Sequence, residues 1–161
     1  MRKARLFFGG IILVLGAAAL VLLPQQASSQ GAGNAAQSPN AEPVPAFHNA
    51  PPTGPLPDTL SPSLFQDALA QNAYTLAARV KKVLYQQPCY CHCDRSQGHG
   101  SLLDCFTGHH AAVCGTCERE AFYSYEQTQK GKTPAQIREG IERGDWEKMD
   151  VTKYQTLLPQ K

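Results

Sequence analysis

Pro88-Cys89-Tyr90-Cys91-His92-Cys93, followed by Cys105 and by Cys114-Gly115-Thr116-Cys117, is the stretch on which the reading of this chain turns. All six cysteines lie in it, together with His92, His99, His109 and His110, four of the five histidines. Sulfur and imidazole gathered this way mean a metal site or a disulfide framework. A disulfide asks for Cα atoms about 4.4–6.8 Å apart with converging side chains, whereas neighbours at i, i+2 in an extended run point theirs in parallel. Cys89, Cys91 and Cys93 would then each need a separate partner among Cys105, Cys114 and Cys117. A metal cluster asks for the reverse, sulfurs close enough to share an ion, and the alternating run supplies them.

Soft thiolates select Cu(I), Zn(II) or iron–sulfur clusters and accept imidazole beside them. Six sulfurs exceed the needs of one tetrahedral zinc, so Cu(I), which tolerates few ligands and shared thiolates, fits the surplus better. The candidate metal ligands are Cys89, Cys91, Cys93, Cys114 and Cys117. Cys105 and one of His92, His99 or His110 supplement them, although Cys105 reads equally well as a small buried core residue. Zinc as a structural staple is the nearest variant.

The flanks of this window are helical. Before it, Leu64, Phe65, Ala68, Leu69, Leu76, Ala77, Val80, Val83 and Leu84 recur at steps of three and four. With Ser61 as N-cap and Pro62 at the first helical position, one helix is predicted over residues 61–87, stopped by Pro88. Inside the window, Ser101 and Asp104 suggest a capped short turn over 102–106. After it, a second long helix is predicted over 107–130, ended by Gly131. On that helix His110, Cys114, Cys117 and Ala121 would share a face, flanked and buried by Val113, Phe122 and Tyr125. Glu118 and Glu120 read as a solvated helix face or as acceptors that orient a ligating histidine. Thr133-Pro134-Ala135-Gln136 opens a short third helix to Arg143. The fold class expected is all-α, a small bundle of two long helices and short helical turns around a Cys-rich loop, over residues 58–144, with 145–161 as a C-terminal strap.

Two segments precede that domain. Residues 1–30 read as a signal peptide or membrane anchor: Arg2, Lys3 and Arg5 lead an apolar run over residues 6–23, and Ala27-Ser28-Ser29 offers small residues for cleavage. Either way the rest is expected outside the cytoplasm, in a periplasmic or other extracytoplasmic space. Residues 31–57, broken by seven prolines from Pro39 to Pro57, read as a disordered linker, and His48 within it as a solvated loop residue. Charge is near balance, Lys+Arg 15 against Asp+Glu 13, and the surplus sits at the N-terminus. No basic face for nucleic acid is expected.

The residues Pro88 to Cys93, Gly98-His99-Gly100-Ser101-Leu102-Leu103-Asp104-Cys105-Phe106, and Cys114-x-x-Cys117 followed by Glu118 and Glu120 closely resemble the bacterial PCYCGC-motif exported proteins. The resemblance covers roughly Leu60 to Ile141. It implies kinship and no mechanism, because the family has no settled activity. Two departures stand out: His92 takes the place of the motif's glycine, and no cysteine precedes Cys89, so the lipid anchor of lipoprotein-like relatives is not expected here.

Several catalytic templates are missing. There is no Cys-x-x-Cys-His, no HExxH, no phosphate loop and no serine nucleophile elbow. Cys114-x-x-Cys117 lacks the strand–helix–strand setting of a thioredoxin motif. In an oxidising space clustered thiols persist only when something masks them. The expectation is therefore a non-enzymatic, exported protein that buffers, sequesters or delivers Cu(I), with an exported metalloprotein or a metal transporter as partner. The alternatives are a disulfide-stapled interaction module without metal and a thiol–disulfide exchange protein using Cys114 and Cys117.

Overall fold

In a computed structural model, residues 42–159 are described. The signal or anchor expected over 1–30, and the first part of the linker, lie outside them. Every regular element among the described residues is helical, with no strand, and none of their helices is long and apolar enough to cross a membrane.

The first helix begins later than the prolines suggest. Ser61 and Pro62 start only a 3-10 turn, Pro62–Leu64, in which the Ser61 hydroxyl pairs with Ser63 Oγ at 2.8 Å instead of capping a helix. Helix α1, Ala68–Arg79, starts where Asp67 supplies a true cap: its carboxylate accepts the Ala70 N–H at 2.9 Å. At Val80 the backbone leaves helical geometry (φ −124°, ψ 27°), and a single turn, α2 (Lys81–Leu84), carries the chain to Pro88. The expected continuous helix is thus two segments. The bend delivers Gln87, fully buried, into the core, where its side-chain amide donates to the carbonyls of Val83 and Pro134 while its backbone carbonyl accepts the Leu102 N–H.

Past the short α3 (Cys93–Gln97), two 3-10 turns, Leu102–Phe106 and His110–Val113, precede α4, Gly115–Gln129. Here too the predicted helix starts late, because Cys114 is extended (φ −124°, ψ 97°) and separates the His110 turn from α4. Helix α4 lies against α1, and the small buried residues Ala70, Ala73 and Ala77 belong to the same core as Ala121 and Phe122. Tyr74, Leu76, Leu84, Leu102, Leu103 and Phe106 fill the remainder. At roughly 25 cal/mol per Å² of buried apolar surface, side chains of this size each contribute about 1.5–3 kcal/mol.

Helix α5, Pro134–Glu142, begins as its sequence predicts, with a reciprocal capping box between Thr133 and Gln136. It packs Ile137 and Ile141 against Tyr123 of α4. A side chain at Gly140 would run into the phenol end of Tyr123, so the glycine is what lets that ring lie against α5. The tail straps over α1 and α4: Asn72 holds it by three hydrogen bonds, and Tyr154 stacks on Phe122 with ring centroids 3.9 Å apart.

Residues 42–57 are extended, but they are laid on the domain, where a free tether was expected. Glu42 pairs with Arg95 at 2.8 Å, Ala46 N–H donates to Asp94, and His48 stacks on Tyr85 with ring centroids 3.8 Å apart. Phe47 lies beneath the Arg138 guanidinium. Prolines hold such a segment extended with little left to lose in entropy, and these aromatic and ionic contacts are enough to dock it.

Candidate metal centre

The centre is made by four pieces of chain that converge on the side of α4. Pro88 ends the helical exit from α2, and the chain turns at once, with the His92 N–H donating to the Cys89 carbonyl at 3.1 Å. His92 sits at the corner in the left-handed region (φ 55°, ψ 33°), the only positive-φ residue besides glycines among those described. The turn from Cys89 to His92 curls the alternating run, so the sulfurs of Cys89 and Cys91 meet at 3.3 Å, and the corner at His92 starts α3 at Cys93. Glu120 of α4 draws the loop inward by accepting the Tyr90 N–H at 2.9 Å.

The other pieces bring their own donors. The turn Leu102–Phe106 aims Cys105, wholly buried, at Cys93, with the sulfurs 3.2 Å apart. The turn His110–Val113 sets His110 Nε2 at 3.4 Å from Cys91 Sγ. From the first turn of α4, Cys117 reaches Cys89 at 3.4 Å and Cys91 at 3.5 Å. His99 Nδ1 comes within 3.3 Å of Cys105 Sγ. Two four-donor groups result, each with its ligand atoms within 4.8 Å of one another: Cys89, Cys91, Cys93 and Cys105, and Cys91, Cys105, His110 and Cys117.

All six cysteines are free, so a stapled disulfide framework is not the arrangement present. The thiols act on one another instead. Cys91, with the Cys105 sulfur foremost and then Cys114, Cys117 and Cys89 directed at it, has its pKa pushed far down. The thiols of Cys89 and Cys117 are pushed up, in each case chiefly by Cys105. A soft cation bound here would take the place of the thiol protons.

The structure sorts the residues proposed from sequence. Cys89, Cys91, Cys93, Cys105, Cys117 and His110 are brought together, and His99 lies at their edge. Cys105, which sequence left open between ligand and core, is a core residue whose sulfur faces the cluster. Cys114 is half-buried and belongs to neither four-donor group. As the extended residue before α4, it does not share a helix face with Cys117, and His110 is not on that helix at all. Val113, expected to bury the face, is 90 % exposed. His92 is not brought to the sulfurs: its Nε2 faces Glu42 at 3.4 Å.

Sequence reasoning also missed the standing of the acidic pair on α4. Glu118 and Glu120 are buried, not solvated. Burial pushes the Glu120 carboxyl up to about 8 and that of Glu118 to about 7. One Glu120 oxygen holds Tyr90 and the other has no protein partner. The available signal was position: Glu120 falls one residue before Ala121 and Phe122, in the most apolar part of α4.

A protein-family model described as "Protein of unknown function with PCYCGC motif" matches residues 56–148. No curated protein and no solved structure matches the chain.

Proposed function

The chain belongs to the family of proteins with the PCYCGC motif, whose function is unknown, and on that premise we propose that it is an exported soft-metal-binding protein that buffers, sequesters or delivers Cu(I). One observation carries the reading: five free sulfurs and an imidazole from four separate pieces of chain face one another, with neighbouring donors 3.2–3.5 Å apart. Sulfurs bound to nothing gain little from such crowding, whereas thiolates sharing a soft ion require it. Cys89, Cys91, Cys93, Cys105, Cys117 and His110 would hold the metal, with His99 adjoining. Bound metal would also shield the thiols in the oxidising space to which the basic-then-apolar N-terminus directs the chain.

The role is one of binding and release, without a catalytic step, and the receiver would be an exported metalloprotein or a transporter. Zinc is the variant that the four-donor groups also suit. The test is to purify the full-length chain without reductant or chelator and measure both metal content and free thiols. Soft metal bound, with thiols titrating only after its removal, is the expected result. A metal-free chain with no free thiols would instead point to a stapled module. A metal-free chain with one easily reduced bridge between Cys114 and Cys117 would point to thiol exchange.

A further inference from the structure

We propose that the centre takes two soft ions and that Cys91 and Cys105 bridge them. The inference rests on the soft-metal reading above and adds a stoichiometry and a division of labour to it. Its basis is the overlap of the two donor groups. Cys89 and Cys93 belong to one, His110 and Cys117 to the other, and Cys91 and Cys105 to both.

For Zn(II) or Cd(II), the tetrahedral ions that the four-donor groups also suit, a single ion uses four donors. One ion in the first group would leave Cys117, wholly buried, without metal, and one in the second would leave Cys89 and Cys93, 3 % and 2 % exposed, in the same position. Two ions leave none of the six idle. The spacing suits this arrangement. Two metal–sulfur bonds of about 2.3 Å placed end to end span about 4.6 Å, close to the 4.8 Å within which each group lies. In a tetrahedron with such bonds the sulfurs stand about 3.8 Å apart. The observed 3.2–3.5 Å therefore asks only for a small outward movement on loading.

The shared pair is also placed as a bridge should be. Cys91 touches Cys89 of one group and both Cys117 and His110 of the other. Cys105 touches Cys93 on one side and His99, the edge neighbour of the His110 ring, on the other. The two ends differ. Cys89 and Cys93 are both buried, whereas on the other side buried Cys117 is joined by the half-exposed His110, so the ion on the His110 side is the one open to exchange. Thiol protons displaced on loading pass to solvent.

The test uses the reduced, metal-free full-length chain, loaded with Zn(II) from a competing chelator and counted by native mass spectrometry. In parallel, 113Cd(II) serves as an NMR probe. The expected result is saturation at two ions and two cadmium resonances split by mutual coupling through the shared sulfurs. Cys93→Ser should keep one ion, and Cys91→Ser should bind neither with wild-type affinity. Saturation at one ion, two uncoupled resonances, or a Cys91→Ser variant that still takes two ions would overturn the bridged centre while leaving the soft-metal reading intact. A chain that binds no ion would overturn both. The cadmium spectrum of the unmodified chain decides the matter even if a variant fails to fold.

Discussion

The sulfurs of Cys89 and Cys117, contributed by the loop after Pro88 and by the first turn of α4, lie 3.4 Å apart. This contact joins the two halves of the cysteine window. It separates Cys117 from its sequence neighbour Cys114, which the Cys-x-x-Cys spacing would treat as an equal.

Cys117→Ser and Cys114→Ser should therefore behave differently. The first removes a buried donor from the centre, and we expect at least a tenfold loss of metal affinity together with most of the metal-dependent rise in melting temperature. The second should retain wild-type metal content. Paired thermal melts with and without chelator check this, and equal losses in the two variants would show that the closed group is wrongly drawn.

His92→Gly should leave metal content unchanged and raise stability. A non-glycine residue in the left-handed region costs about 1–2 kcal/mol, and His92 at φ 55° bears that cost where the motif's own name has glycine. The lost approach to Glu42 is partly exposed and offsets little. We expect a net gain of about 1 kcal/mol by chemical denaturation. A drop in bound metal would mean that the imidazole is a ligand after all.

Glu120→Gln should flatten the pH dependence of stability in the metal-free, reduced protein. The carboxyl is raised from 4.5 to about 8 in the folded chain. Between those values the native state holds a proton that the unfolded state has released. Stability therefore falls as pH rises through that window, by about 1.4 kcal/mol per pH unit, and the loss is complete above it. Glutamine stays neutral and keeps an acceptor for the Tyr90 N–H. Denaturation at about pH 5 and about pH 8 should show the variant ahead only at the higher pH, and parallel curves would refute the assignment.

Asn72→Asp should loosen the C-terminal strap more than Asn72→Leu. The Asn72 amide donates to the carbonyls of Tyr154 and Thr156, both at 2.8 Å, and its oxygen accepts the Leu158 N–H at 3.0 Å. Aspartate sets a buried anion against two carbonyl oxygens, at a cost of about 2–4 kcal/mol. Limited proteolysis of residues 152–159 is the direct readout, and equal protection in both variants would count against the anchoring role.

Much of the helical architecture was legible because its signals are local. The Thr133 capping box lies within one turn, as does Gly131 in the left-handed conformation just past α4, and both are where the letters place them. The two misplaced helix starts failed for the same kind of reason. Ser61-Pro62 satisfies the rule for an N-terminus, but Asp67 six residues later caps better, and nothing in the periodicity marks Cys114 as extended.

By itself the sequence determined a helical domain and the inventory of its centre, because turn period, caps and the concentration of thiols are properties of neighbouring residues. Only the tertiary structure decided which donors meet. The Tyr90–Glu120 and Leu102–Gln87 hydrogen bonds that close the site span long stretches of chain. The turn from Cys89 to His92, with the left-handed corner that ends it, then makes a run of parallel side chains converge. Burial did the rest: it drew Glu120 and Cys105 into the interior and left Cys114 at the rim, outcomes that depend on which surfaces pack together and that no local pattern encodes.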